Sequence, residues 1–364
     1  GLQEKMISSW KAYHGAYHGG LSNGHQISFS GEQGELVNIA INHYRNIATH
    51  TITMATSTRP SLIARAVNSD YKSLIQTTLA NSILDYYIRE KKLEIYFKKA
   101  VEYAIVLGSG FIKMDWDANL GETYDAIEDE NGEKIPLKQG DIVFSNLSPF
   151  DVLMDFTKED DTDHSWFTTR TYKNKYDLIA KFPEFEDKIK QLKTKNELEG
   201  FRLGFNLLNE KTDDIPVYEF YHKKTPALPD GRYMMFLAED IILLDGPLPY
   251  RVLTVFKISP STILGTSHGY TPMFDLLPIQ EGVNTLYSTI LTNQTTFGVQ
   301  NIWSPPGSDI VVSQLSDGLN LIQSREKPEP INLTQTPAEI FKFIEMLEKQ
   351  MELLSGINSV ARGA

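Results

Sequence analysis

Cysteine is absent from all 364 residues. That excludes disulfides, thiol catalysis and cysteine-ligated zinc, and it fits a reducing compartment or a particle assembled in one. No apolar run approaches the roughly 20 residues that a membrane-spanning helix needs, so no transmembrane helix and no membrane partner are expected. Basic residues are in the minority: 35 Lys and Arg stand against 47 Asp and Glu, a formal charge of −12. This balance argues against a protein that grips nucleic acid through its overall field. It allows one that lets nucleic acid slide past, where tight phosphate contacts would hinder movement. Neither a Walker loop nor an HExxH motif occurs in the sequence, and the reading assigns no catalytic residue, no cofactor and no metal site.

What is present looks like an ordinary globular chain, 41% apolar and 23% charged, long enough for two or three domains. It opens on Gly1 and is read as a segment of a longer protein. The most informative stretch runs from Gly265 to Asn301. Thr271 and Pro272 make a helix start, a hydroxyl followed by Pro at the first helical position. Ile279, Val283, Leu286 and Ile290 then recur as an apolar stripe, while Gln280, Asn284 and Ser288 form a second, uncharged polar one. Pro278 is expected to bend or restart the helix. After Asn293 the chain turns to an uncharged run that includes Gln294, Thr295 and Thr296.

Elsewhere, residues 1–34 hold Gly15, Gly19, Gly20, Gly24, Gly31 and Gly34 with several Ser and His residues, the composition of an extended arm rather than a core segment. Helices are expected over 35–57, over Asn68 to Arg89 with Asp70 near its start, and over Leu93 to Leu107 up to Gly108-Ser109-Gly110. Phe111 to Asp117 alternates as a half-buried strand does. Asn131-Gly132 marks a hairpin. Asp155, Glu159, Asp160, Asp161 and Asp163 lack calcium-loop spacing and read as a solvated loop. A Lys- and Glu-rich helix is expected over Lys175 to Lys193, interrupted at Pro183. Strands follow at Val217 to Tyr221, Tyr233 to Leu237 and Ile241 to Leu244, with a turn at Pro229-Asp230-Gly231; Lys223, Lys224 and Arg232 lie near that hairpin tip. Ile302 to Gly307 and Gly318 to Ile322 read as short strands. Thr336-Pro337-Ala338-Glu339 is a capping box opening a helix with Ile340, Phe343, Ile344, Leu347, Met351 and Leu354 on one side. His14 and His18 stand four apart among glycines that spoil a rigid metal-binding helix.

Gly265-Thr266-Ser267-His268-Gly269 matches the nucleophile elbow G-x-S-x-G, which follows a buried parallel strand and opens a helix. Here Pro260 separates the candidate strand Val252 to Ile258 from the serine. The other strands are joined by hairpin turns, and no histidine follows His268. The motif is therefore read as the tight entry to the central helix, with a hydrolase built on Ser267 as the third alternative.

Three segments in order resemble the portal proteins of tailed bacteriophages, the podovirus-like ones in particular. The first is Ala100 to Leu107 with Gly108-Ser109-Gly110 and the strand Phe111 to Asp117. The second is Gly265-x-Ser267 leading into Gln280, Asn284 and Ser288, which looks like a stem helix. The third is Ile344 to Gly363, similar to the end of the long portal helix. The resemblance covers about residues 35–364. It implies an α+β portal fold: an arm at 1–34, a helical and β wing at 35–194, a β-rich clip at 195–262, a stem helix at 263–293, a tunnel loop with flanking strands at 294–330, and a long wing helix at 331–364. The family's C-terminal crown has no counterpart in this chain. The resemblance further implies a homo-oligomeric ring of about twelve copies at one capsid vertex of the virion, assembled in the host cytoplasm. Its partners would be the major capsid protein, terminase, head-completion or adaptor and tail proteins, and double-stranded DNA during packaging and ejection. On this basis Gln280, Asn284, Ser288, Gln294, Thr295 and Thr296 are expected to line the DNA channel. Lys223, Lys224 and Arg232 are expected to meet clip partners. Another head–tail connector of a phage particle is the first alternative.

Overall fold

A computed structural model describes residues 1–15, 39–57, 63–128, 134–161, 163–194, 213–238, 240–297, 300–307, 319–326 and 338–357. The fold is α+β. The chain divides into two compact units. One joins Gly1–His50 to Pro272–Ala364; the other is the continuous stretch Thr51–Thr271.

The continuous unit is built outward from helix α4 (Leu93–Leu107), the fourth helix after α1 (Leu2–Tyr13), α2 (His43–Thr56) and α3 (Tyr71–Glu90). The second half of α4 is almost wholly buried, from Ala100 to Leu107 except Glu102 and Tyr103. Gly108 ends it in the left-handed conformation, φ 86°, and its N–H returns to the Ala104 carbonyl, a glycine stop of the expected kind. The chain then reverses so tightly that a Cβ on Gly110 would lie 1.9 Å from the Ala100 carbonyl oxygen. No side chain fits there, so glycine is what lets strand β1 (Gly110–Asp117) begin where it does.

β1 is the centre of a three-stranded antiparallel sheet, between β4 (Asp141–Leu147) and β10 (Val255–Ile258). The hairpin β2 (Thr123–Glu128) and β3 (Lys134–Lys138) is antiparallel as anticipated; its Asn131-Gly132 turn lies outside the described residues. The larger sheet is an antiparallel meander in the order β5 (Val152–Met154), β6 (Trp166–Asn174), β7 (Asp214–His222), β8 (Arg232–Ala238), β9 (Ile241–Gly246). Helices α5 (Lys175–Lys181) and α6 (Glu186–Gln191), separated by a 3-10 turn at Pro183–Phe185, pack against it. Leu178, Phe182 and Ile189 from the helices meet Ile215, Val217 and Leu237 from the sheet. A two-stranded ladder, β11 (Ser261–Thr262) with β12 (Gly269–Tyr270), closes the unit.

These pairings cross the expected boundary between wing and clip. β6, assigned to 35–194, pairs over nine positions with β7, assigned to 195–262, and β1 pairs with β10 across the same boundary. Sheets are made by partners distant in sequence, and a boundary placed along the chain does not separate them.

The other unit holds α1, the start of α2, helix α7 (Met273–Phe297), the parallel pair β13 (Gln300–Ser304) and β14 (Leu319–Gln323), and α8 (Ala338–Ser355). Two expectations are corrected here. Residues 2–13 of the supposed arm form a helix with Met6, Ser9 and Trp10 buried; the glycines lie beyond it. The helix expected from 35 begins only at His43, and residues 39–42 run without helical structure. α7 continues through Pro278. Of the side expected to be apolar on α8, Ile344 and Met351 are buried, whereas Phe343 and Leu354 are 45% and 54% exposed. The Thr336-Pro337 cap lies outside the described residues, as do Leu36, His18, Gly318 and 358–363.

Candidate functional sites: a polar ladder, a buried ion cluster and an exposed helix

α7 positions the first site. Its polar stripe is more deeply buried than its apolar one. Gln280, Asn284 and Ser288 are 4%, 7% and 0% exposed, while of the apolar stripe only Val283 is fully buried and Ile279, Leu286 and Ile290 are half-buried. Their partner is the backbone of 39–44. Ser288 Oγ accepts from the Ile39 N–H at 3.1 Å, Asn284 Oδ1 from the Ile41 N–H at 3.1 Å, and Gln280 Oε1 from the Tyr44 N–H at 2.8 Å. Gln280 Nε2 donates to the Ile41 carbonyl and to Asn284 Oδ1, both at 2.8 Å. Spacing by four on a helix thus serves as a ladder that satisfies the backbone of the non-helical residues 39–42 and of the first turn of α2. Tyr44 is held further by a hydrogen bond with Ser9, and burial pushes its phenol pKa above the ordinary value.

The assignment of Gln280, Asn284 and Ser288 to an open channel is corrected by this geometry: their polar atoms are occupied inside the unit. The side chains of Gln294, Thr295 and Thr296 lie outside the described residues. The portal resemblance leads one to expect that charges on this face would impair DNA packaging more than ring formation. With the ladder in view, Gln280→Leu should instead destabilise folding, by about 1–3 kcal/mol for each buried backbone group left unpaired. Urea unfolding of the purified chain measures this directly.

The second site was not legible as such. On β1 the buried side is the one that carries charge: Lys113 is 1% exposed and Trp116, on the opposite side, 52%. Lys113 forms a salt bridge with the buried Glu219 of β7 and lies 3.0 Å from Asp115. Lys173 of β6 stands 3.8 Å from Glu219. Tyr233 donates to Glu219 at 3.3 Å, and the Tyr221 hydroxyl lies 3.4 Å from both carboxylates. The Lys113 ammonium also sits 5.3 Å from the centre of the Tyr221 ring, a cation–π contact. Burial opposes charge on Lys113, but the Glu219 and Asp115 carboxylates outweigh it and hold its pKa above the ordinary value. Burial likewise opposes charge on Glu219, and Lys113 with Lys173 outweighs it in turn, holding Glu219 below the usual carboxylate range. Asp115 goes the other way, pushed up by burial despite Lys113, with Glu219 adding to the rise. The cluster ties the three-stranded sheet to the five-stranded one.

A pH dependence follows. A carboxylate with a depressed folded pKa stabilises the fold above its unfolded value, and that contribution is lost as pH falls through the folded value. Glu219 should therefore contribute fully above about pH 4.5 and cease to do so below its lowered folded value. Asp115, raised, has the opposite sign and becomes less unfavourable on acidification. The expected result is that Glu219→Gln flattens the acid limb of a urea-midpoint profile and Asp115→Asn steepens it.

The hairpin between β7 and β8 brings Lys223, Lys224 and Arg232 to one sheet end, but not as free cations throughout. Arg232 is bound through two nitrogens to Asp245, at 3.0 and 2.9 Å, and Lys223 Nζ reaches the Asp163 carbonyl at 3.4 Å. Lys224 is exposed.

Ser267 is wholly buried and its hydroxyl has no hydrogen-bond partner. It sits in the turn of the antiparallel β11–β12 pair rather than after a parallel strand, so the elbow geometry is absent. Lys257 Nζ holds the Ser267 carbonyl at 2.6 Å and Asp161 at 2.6 Å, and His268 stacks on Phe156 with ring centres 3.9 Å apart. Burial, with Lys257 nearby, lowers the His268 pKa. Thr271 donates to the Ile105 carbonyl at 2.7 Å. Asp161 of the acidic loop is drawn into this anchoring. Among the described residues no cluster of histidines and carboxylates could hold a metal ion, and no helix is long and apolar enough to cross a membrane.

The third site is α3. It spans 20 residues and contains no buried one, although Leu74, Ile75, Leu79, Ile83 and Tyr86 all lie on it, each 46–60% exposed.

No family model matches the chain, and no curated protein matches it.

Proposed function

We propose that this chain is the subunit of a portal ring at one capsid vertex of a tailed bacteriophage. In that role it is not an enzyme. About twelve copies close by rotation around a channel. Double-stranded DNA passes through that channel during packaging and ejection. The ring docks terminase on one occasion and head-completion or tail proteins on another.

The observation that carries this reading is the arrangement at α4 and β1. The portal-like order of an alanine-bearing helix, Gly108-Ser109-Gly110 and a strand ending in an acidic residue exists here as one packed unit. Gly108 stops the helix, Gly110 lies against Ala100, and β1 runs to Asp117. The net charge of −12 suits a conduit, since like charge multiplied around a ring repels phosphates and prevents sticking. Such a ring repels itself as well, so its interfaces must bury apolar surface. α3 offers such surface.

Native mass spectrometry with end-on particle images tests the proposal. A closed ring with a pore wide enough for duplex DNA is expected. Subunits that stay monomeric or dimeric at every concentration would overturn it.

A further inference from the structure

A 20-residue helix is barely stable in water without packing, and most helices of globular proteins hide one side. α3 hides none. Tyr71, Ile75, Leu79, Ile83 and Tyr86 follow one another at three- and four-residue intervals along a single stripe, and Leu74 borders it; their exposures run from 46% to 80%. Six large side chains at these exposures present apolar surface on the order of the ~800 Å² per partner that a stable protein interface uses.

Four of the polar residues among them already have partners within the chain. Thr77 donates to the Ser73 carbonyl at 2.8 Å, Thr78 to Leu74 at 3.0 Å and Ser82 to Thr78 at 3.0 Å. Asn81 accepts from the Ala64 N–H at 2.7 Å and donates to the Ala64 carbonyl at 3.2 Å. Polar groups with partners inside the chain cost little when water is removed from around them. This is surface suited to becoming dry.

Charge indicates what covers it. No charged residue occurs from Ser73 to Leu84, in a chain whose net charge is −12. Two copies of this chain repel, and they approach most cheaply where neither brings a carboxylate into the contact. A phosphate backbone would require basic side chains, and a membrane-surface helix a basic polar side; the basic residues of α3 are only Lys72 and Arg89, one at each end.

We propose that α3 is a subunit–subunit contact, in which a second copy of this chain covers the Ile75–Leu79–Ile83–Tyr86 stripe. The inference rests on the self-assembly in the function proposed above, and it names the surface that does it.

The absence of cysteine makes the test clean. Leu79→Cys supplies the chain's single thiol, whose reaction with a maleimide is timed in the species resolved by native mass spectrometry and compared with the urea-unfolded chain. Protection of at least tenfold in an oligomer is expected. Ile83→Glu is expected to shift the same preparation to monomer with an unchanged circular dichroism spectrum. A closed ring of the Leu79→Cys variant whose thiol reacts as fast as the unfolded chain overturns this inference and leaves the portal proposal standing. A dimer with that thiol protected supports the inference and overturns the ring. A monomer at all concentrations overturns both.

Discussion

Lys113→Met should lower the stability of the Thr51–Thr271 unit by about 3–5 kcal/mol, the usual cost of stripping one partner from a buried ion pair. At roughly 2–4 °C per kcal/mol for a unit of this size, the melting temperature should fall by about 10 °C or more. The reason is not the loss of attraction but what remains. Glu219, only 5% exposed, would keep its charge with Lys173 alone, 3.8 Å away and itself 42% exposed, to offset it. The double variant Lys113→Met with Glu219→Leu removes both charges and fills the space with apolar atoms. It should recover most of the loss, because a buried pair seldom outperforms well-packed hydrophobes of the same volume. Calorimetry of the two single variants and the double variant gives the coupling directly. If Lys113→Met melts with the wild type, the cluster does not hold the two sheets together.

The other large effect is expected at two glycines. In Gly269→Ala the new Cβ would lie 2.0 Å from both the Gly108 carbonyl oxygen and Ser109 Oγ, and in Gly110→Ala 1.9 Å from the Ala100 carbonyl oxygen. These obstacles are mostly backbone, so no rotamer change relieves them, and α4 must move off β1 or β12. A cost above about 4 kcal/mol, in the exceptional range for a point change, is expected for each. Gly246→Ala is the control: nothing lies within 4 Å of its added methyl group, and the chain should unfold within about 1 kcal/mol of the wild type. Denaturant midpoints rank the three. Equal midpoints for Gly110→Ala and Gly246→Ala would mean that the junction between α4 and β1 is looser than described.

Features set by neighbouring residues were legible before any coordinates. α4 begins at Leu93 and stops at Gly108 because leucine, alanine and valine give way to a residue that tolerates positive φ. The helix over 175–191 breaks at Pro183, where its backbone donor is missing. β7, β8 and β9 announce themselves by alternation and by Pro229-Asp230-Gly231 between the first two. The polar stripe of α7 was recognisable as needing a polar partner. Which partner was not: Gln280 and Tyr44 are 236 positions apart, and nothing near either residue marks the other. Lys113 and Glu219, 106 apart, were hidden the same way, since a Lys in an alternating strand reads as a solvent position until an acid is found opposite. The helix at 2–13 was lost to averaging, its own residues being outweighed by the glycines that follow.

The division of the chain has a bearing on how it comes off the ribosome. One unit is made of the two ends of the sequence, with the whole of Thr51–Thr271 translated between them. The middle unit is contiguous and can finish folding as soon as it emerges. The first fifty residues cannot: Ile39, Ile41 and Tyr44 have to wait until Gln280, Asn284 and Ser288 exist. At the usual 5–20 residues per second, that wait lasts about 10–50 s. During it, Tyr44, Ile47, Met6 and Trp10, all buried at the end, stand exposed on a nascent chain. Vectorial synthesis thus dictates an order of events, middle before ends.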